Sequence, residues 1–348
     1  MCARKDKKAT INDVARAANV SIASVSRFMN GQDVWPKSKE RIEAAVKALN
    51  YTENYFAKNL RQKTIKTICL LTTDFRDSFY MNILAEISLL CEKHDIELIV
   101  LHYDNSAAQL NDRFIYLKSM SVDGIILFID ALDEERIEAI NSINREIPLV
   151  LMDTMSPDLN VSMVLLDNFG SAAKATQYLI DNGHQRIAVI TGSERFLSSQ
   201  ERLDGVLHTL DNHGILCPSP YVKRVEIFAQ SHGYAATQEL MSNENPPTAI
   251  FAQSYQLTFG VTLALQDLGL KMPDDVSVIG FDYHNLMNSI SAGVTCVDQP
   301  LAELSSSAFN ILWEKITKKE NPQHPDIHRI QANLIINNSV KNIITIIE

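Results

Sequence analysis

The chain has 348 residues, enough for two or three domains with cores of their own, and its 46 % hydrophobic content excludes a largely disordered protein. Its longest apolar runs, such as GIILFI (124–129), fall far short of the roughly 18 residues a bilayer-spanning helix needs. The net charge of −10 is unevenly spread: residues 1–63 carry 13 Lys/Arg against 6 Asp/Glu, whereas the remainder carries 19 against 36. A basic head on an acidic body is the pattern expected when only the head meets a polyanion. The alternative, a solvated charged tail, is weakened because the basic residues continue to Lys63 through well-patterned helices.

The first of these helices starts at Thr10, which with Asp13 three residues later predicts a capping box, and Ile11, Val14, Ala15 and Ala18 mark one apolar face. The sequence NVS breaks it, and Ser21 is placed to cap a second helix. In that helix Val25, Phe28 and Met29 point inward and leave Ile22, Ala23, Ser26 and Arg27 outside; Gly31 permits a left-handed exit. A third helix is predicted from about Lys37 to Asn50, with Ile42, Ala45, Val46 and Leu49 on its buried side. Two short helices joined by a tight turn and braced by a third form a helix-turn-helix unit, whose second helix enters the major groove. The competing reading is a small helical cap on the body. After it, Leu60 sits in a short basic stretch with Ala57, Lys58 and Arg61, where nothing local can bury it.

TINDVARAANVSIASVSRFMNG (10–31), followed by NYFAKNLRQKT (54–64), resembles the DNA-binding head and hinge of the lactose/galactose repressor family of bacterial transcription regulators. The resemblance extends over roughly residues 9–340. It implies that Ile22, Ala23 and Arg27 read the major groove, that Ser21, Ser24 and Asn30 hold phosphates, and that Leu60, beside Lys58, wedges into the minor groove. An apolar wedge of this kind kinks the duplex at a cost of a few kcal/mol, offset by added contacts. The chain departs from the family at Glu53, where proline is frequent, at Lys58, where arginine is frequent, and at WPKS (35–38), which replaces a serine-led cap.

From Thr67 onward strand-length apolar runs alternate with amphipathic stretches. TICLLTTD, IELIVLHY, GIILFI and PLVLMD are separated by helical patterns at 80–93, 107–120 and 134–144; RIAVITG (186–192), AIFAQS and SVIGFD repeat the scheme. This alternation predicts βαβ units, parallel sheets and two similar lobes. The body resembles the type I periplasmic sugar-binding fold of the same family. The fold class expected is therefore α/β: a three-helix head (1–52), a hinge (53–65) and two doubly wound lobes (66–340), with a tail at 341–348. The resemblance puts lobe 1 at about 66–164 and 295–323 and lobe 2 at about 165–294 and 324–340.

Ligands of such sheets sit at the carboxyl ends of strands, here in the cleft between lobes. Phe79 and Tyr80 follow the first strand, Phe128 ends the third and Asp153 the fourth; Ser198, Arg202, Phe228, Ser254 and Asp282 follow strands of the second lobe. By resemblance Arg202 (in ERLDG) and Asp282 (in GFD) match the family's effector-binding arginine and aspartate. Asp153, Ser198, Phe228 and Gln299 match further pocket positions, while Ser254-Tyr255 stands where Asn-Asp is usual. Carboxylate, guanidinium and aromatic faces together suit a sugar, and the aromatics keep a nucleobase open. The other readings are a structural ion pair for Arg202 and Asp282 and plain core packing for Phe79 and Phe128.

The chain has no P-loop, GxSxG, HExxH or zinc-spaced Cys/His set, so no enzyme activity, metal or cofactor is expected, and His184 reads as structural. MCARKDKKAT has no apolar stretch of the signal-peptide kind, and five cysteines without a CxxC pair suit the cytoplasm. The expected partners are a near-palindromic double-stranded operator, a small effector and a second copy of the chain, with no membrane. The tail lacks the leucine heptads of a tetramerising helix. The rival classes are a transporter's solute-binding protein, which would have a signal peptide and no basic head, and a doubly wound enzyme.

Overall fold

The computed structural model describes residues 9–29, 32–51, 66–282, 293–318 and 325–344. The chain divides into two compact units, 1–66 and 67–348.

In the first unit, helix α1 spans Ile11–Ala18, α2 Ile22–Met29 and α3 Pro36–Ala48. The capping box forms: Thr10 accepts from the Asp13 N–H, and the Asp13 side chain takes the Thr10 N–H. Asn19, in the left-handed region, ends α1. Ser21 caps α2 by accepting the Ser24 N–H at 3.1 Å. Helix α3 differs from this pattern, because Trp35 at its N-cap makes no capping bond and Pro36 supplies the preset first turn. Val14, Ala15, Ala18, Val25, Ile42 and Ala45 form the small core, with Phe28, Met29 and Val46 packed on it; Leu49 lies at its exposed margin.

The second unit holds two six-stranded sheets. Strands β1 Lys66–Thr72, β2 Ile96–His102, β3 Gly124–Phe128, β4 Leu149–Met152, β5 Ser162–Leu166 and β11 Ile327–Ile330 form the first, in the order β11-β5-β4-β3-β1-β2. The second comprises β6 Ile187–Thr191, β7 Val222–Arg224, β8 Ala249–Ala252, β9 Ser277–Phe281, β10 Thr295–Asp298 and β12 Asn333–Ile335, in the order β12-β10-β9-β8-β6-β7. All the recorded pairings are parallel except that of β10 with β12. Helices α4 Ser78–Lys93, α5 Ala107–Met120, α6 Glu134–Asn144 and α11 Leu301–Lys318 pack with the first sheet. Helices α7 Asn168–Asp181, α8 Leu197–Asn212, α9 Gln230–Met241 and α10 Tyr255–Asp267 pack with the second.

The chain crosses between lobes after β5, after β10 and after β11. The last two crossings fall later than the sequence places them. Residues 295–298 remain in the second lobe because β10 pairs with β9, and residues 327–330 belong to the first because β11 pairs with β5. The tail is tied down as far as Ile344: Lys341 donates its N–H to Ser277 and Ile343 its N–H to Asn182. His184 is buried and holds Thr248 and the Lys341 carbonyl, a structural role. Cys69 and Cys296 lie in the two cores, where burial pushes both thiols up to about 12.

Helices α9 and α10 approach through facing glycines. A Cβ on Gly260 would sit 2.2 Å from the Gln230 carbonyl oxygen and 2.5 Å from the Tyr234 nitrogen, both backbone atoms that cannot turn aside. Gly260→Ala is therefore expected to destabilise the body by about 1–3 kcal/mol, the usual range for overpacking, measured as a fall in the urea midpoint. An unchanged midpoint would mean that the two helices can separate freely.

Candidate functional site

Helix α2 exposes the face the sequence assigns to DNA. Ile22 is 48 % exposed, Ala23 and Arg27 are exposed, and Ser21 and Ser24 join through their hydroxyls at 2.9 Å. Ser24 and Arg27 share a surface groove with Trp35, which is 84 % exposed and which sequence reasoning passed over except as a departure in a cap. Asn30, Lys58 and Leu60 lie outside the described residues.

In the body, a cleft cavity of about 350 Å³ opens between the carboxyl ends of the two sheets. Phe79, Tyr80, Phe128, Asp153, Ser198, Arg202, Phe228, Ser254, Asp282 and Gln299 all line it. Residues as far as 220 positions apart, Phe79 and Gln299, thus converge on one space, most of them at strand ends and the helix N-termini that follow.

Two of these strand ends repeat the same geometry. Asp153 follows β4 with φ 62° and donates its N–H to the Val164 carbonyl; Asp282 follows β9 with φ 73° and donates to Val297. A non-glycine residue in the left-handed region costs on the order of 1–3 kcal/mol, and such strain collects at ligand sites. Here it turns both carboxyls inward at the cleft.

Arg202 is buried on α8. Its Nε donates to Asn168 Oδ1 at 2.8 Å, its Nη1 donates to the Gln253 carbonyl at 2.7 Å, and its guanidinium lies 3.7 Å from the Phe281 ring centroid. Among the described residues it makes no direct ion pair with Asp153 or Asp282, so the simple structural pair is not what holds it. Asp282 accepts a hydrogen bond from Gln299 Nε2. Gln299 Oε1, buried, has no partner among the described residues, and the half-buried Asp153 lines the same cavity. Burial raises the pKa of Asp282 and lowers that of Arg202, each effect partly offset by the other's charge. Asp153 is pushed up to about 7, chiefly by burial and against the pull of Arg202.

Ser254 Oγ accepts the Leu257 N–H and so caps α10 at the cavity wall. Phe128 has a double role, being a member of the largest hydrophobic cluster of the body and an edge-on neighbour of Phe79 and Tyr80 in the cavity wall. Across the cleft, Phe228 stacks with Phe196 at 6.0 Å between centroids, and the Arg195 guanidinium covers the Phe196 ring.

Several lining residues escaped the sequence reading. Asp130 accepts from Thr73 Oγ1 at 3.2 Å and from the Tyr80 hydroxyl at 3.1 Å; it directly follows GIILFI, so the strand-end rule that picked Asp153 applies to it equally. Asp77 takes the Phe79 N–H and, from the other lobe, Gln256 Nε2 at 3.1 Å. Burial raises both carboxyls.

Asp153 makes pH dependence measurable. A carboxyl whose folded pKa is raised favours the folded state most below its unfolded value near 4, and that contribution is lost as pH rises through about 7. Asp153→Asn is thus expected to stabilise the ligand-free body at pH 8 and to lose this advantage by pH 4. The gain should be on the order of 1–2 kcal/mol, because the carboxylate faces solvent in the cleft, below the ~4 kcal/mol of a full three-unit shift. Melting curves at the two pH values test it, and a gain that is equal at both would contradict it.

Both units match families of known proteins. Residues 10–54 match the family model of bacterial regulatory proteins, lacI family, and residues 65–338 that of periplasmic binding proteins and sugar binding domain of LacI family. The HTH-type transcriptional repressor PurR of Vibrio vulnificus is 31 % identical over 337 residues, covering 96 % of this chain and 99 % of the relative. The ribose operon repressor of Haemophilus influenzae is 31 % identical over 309 residues, covering 88 % and 92 %. Among solved structures, the lac repressor dimer bound to operator and the anti-inducer ONPF superposes with a TM-score of 0.83 at 22 % identity, covering 96 % and 100 %. The CelR–cellobiose complex gives 0.71 at 26 %, covering 95 % and 99 %. With a helix-turn-helix head matched by one model and a two-lobed, cleft-bearing body matched by the other, the chain belongs to the LacI family of DNA-binding bacterial transcription regulators.

Proposed function

We propose that this chain is a cytoplasmic, dimeric repressor without enzyme activity, whose grip on a near-palindromic operator is set by a sugar bound in the inter-lobe cleft. One head recognises only half a site, so two copies are required. The solved lac repressor relative is a dimer on its operator. Among the described residues no helix is long and apolar enough to cross a membrane.

The observation that carries the effector reading is the buried, unsatisfied Gln299 Oε1, which shares the cavity wall with the half-buried Asp153 carboxyl. A buried acceptor is almost always hydrogen-bonded, and the carboxylate beside it accepts as well, so the wall calls for a ligand rich in donors. Hydroxyls answer that need while the Phe228 and Phe196 rings cover an apolar sugar face. In this reading Arg202 and Asp282 fix the ligand from the second lobe, and Phe79, Tyr80, Phe128 and Asp153 from the first. Ser198, Phe228, Ser254 and Gln299 complete the contacts. On the head, Ile22, Ala23 and Arg27 read bases, Ser21, Ser24 and Asn30 hold phosphates, and Lys58 and Leu60 engage the minor groove. A purine effector is the second reading, favoured by the stacked aromatic pair and by the PurR relatives.

A thermal-shift screen of the full chain against free sugars, nucleosides and purine bases separates the two. Stabilisation by a free sugar supports the first reading. Stabilisation by purine bases alone replaces it with the second.

A further inference from the structure

The buried arginine of the cleft is the inner end of a longer hydrogen-bonded set. Asn168, whose Oδ1 receives Arg202 Nε at 2.8 Å, donates its Nδ2 to Glu201 Oε2 at 3.3 Å. Glu201 in turn takes a two-point contact from Arg329: Nη1 to Oε2 at 3.2 Å and Nη2 to Oε1 at 2.8 Å. Arg329 Nη2 also lies 3.8 Å from Met155 Sδ, which belongs to the first lobe.

The locations of these residues give the set its meaning. Arg329 is on β11, the edge strand of the first sheet, whereas Glu201 and Arg202 are consecutive on α8 of the second lobe. Asn168 opens α7, just past the first crossing. One chain of contacts therefore runs from the cleft to the boundary between lobes. The outer pair is partly shielded, with side-chain exposures of 35 % for Arg329 and 17 % for Glu201. A shielded, forked guanidinium–carboxylate contact is stronger and more directional than a one-point pair in open solvent. Neither Glu201 nor Arg329 lines the cavity.

We propose that Glu201 and Arg329 form a clamp between the lobes, and that Glu201, through Asn168, positions Arg202 only while the clamp is closed. A change of lobe angle that parts β11 from α8 removes one anchor of Glu201, which loosens Asn168 and with it the guanidinium. By reciprocity, any ligand that holds Arg202 in place favours the closed clamp. The link to Arg202 rests on the effector reading given above, but the clamp itself does not, and it is tested without ligand.

Double electron–electron resonance on the full-length protein reads the lobe separation directly. Spin-labelled unnatural amino acids replace the exposed Glu138 on α6 and Asp211 on α8, and labelled protein is diluted into unlabelled protein so that only distances within one copy count. The ligand-free wild type should give one narrow distance. Glu201→Gln and Arg329→Gln should each displace or broaden it by several ångströms, and the double variant should do no more than either single one. The charge reversal Glu201→Arg with Arg329→Glu should restore the narrow distance. Single variants whose distributions superimpose on the wild type would overturn the clamp. So would a charge-reversed protein that melts like the wild type yet remains as broad as the singles. Neither result would bear on whether the cleft binds a sugar.

Discussion

Asp282→Ala is expected to abolish the response to effector at concentrations that saturate the wild type, while leaving operator affinity in the absence of effector nearly intact if the effector is an inducer. Asp282 is held inward by its left-handed backbone, accepts from Gln299 and faces the buried Arg202. Removing it takes away the ligand's charged acceptor. It also strands the Gln299 amide and leaves a buried guanidinium with one fewer counter-charge. Truncating one member of such a buried set costs about 2–5 kcal/mol of ligand binding, roughly 30-fold to several thousand-fold in affinity. The head, a separate unit with its own core, has no contact that this change removes from its interior. Operator titration of wild type and variant, with and without the ligand identified by the screen, decides it. A variant responding at unchanged ligand concentration would show that the effector binds elsewhere.

Arg27→Ala is expected to weaken binding to the selected operator by about 1–3 kcal/mol, the worth of a good base contact, and to spare weak binding to random DNA. Arg27 lies exposed on α2, in the last turn, next to a surface groove. Helix α2 is anchored by Val25, so shortening an exposed side chain leaves its position unchanged. Base readout and phosphate contact predict different outcomes. Loss of a base contact relaxes specificity at one operator position, whereas loss of a phosphate contact lowers affinity for all sequences alike and reduces the salt dependence. Titrations on operator and scrambled duplexes at two salt concentrations distinguish them, and equal losses on both duplexes would assign Arg27 to the backbone.

Local chemistry made much of the molecule legible. The Thr10–Asp13 box, the Ser21 cap and the alternation of apolar runs with helical patterns all depend on residues a few positions apart, and each appears where its pattern stands. The cleft carboxylates Asp153 and Asp282 were legible for a topological reason, since parallel sheets present their ligands at strand ends. What could not be read depends on distance along the chain. Which sheet β10 and β11 join is decided by pairing with β9 and β5, and nothing within four-residue segments such as TCVD and IHRI marks the choice. The Asp77–Gln256 bridge joins residues 179 apart, and the Glu201–Arg329 clamp joins residues 128 apart. Strand β7 is only three residues long, Val222–Arg224, an edge strand held by β6 alone. Trp35 carries an exposed indole at a helix start, a position that capping rules score only as a missing serine.

The most direct test is selection of binding sites from a random duplex library by the full-length protein, followed by titration of the winning site with and without the cleft ligand. A sequence-specific, effector-controlled dimer should enrich one near-palindromic site and bind it about 10³-fold or more tighter than random DNA at physiological salt. Its affinity for that site should then change when the ligand is added. Enrichment of no symmetric sequence, or an operator affinity indifferent to every ligand that stabilises the body, would contradict it.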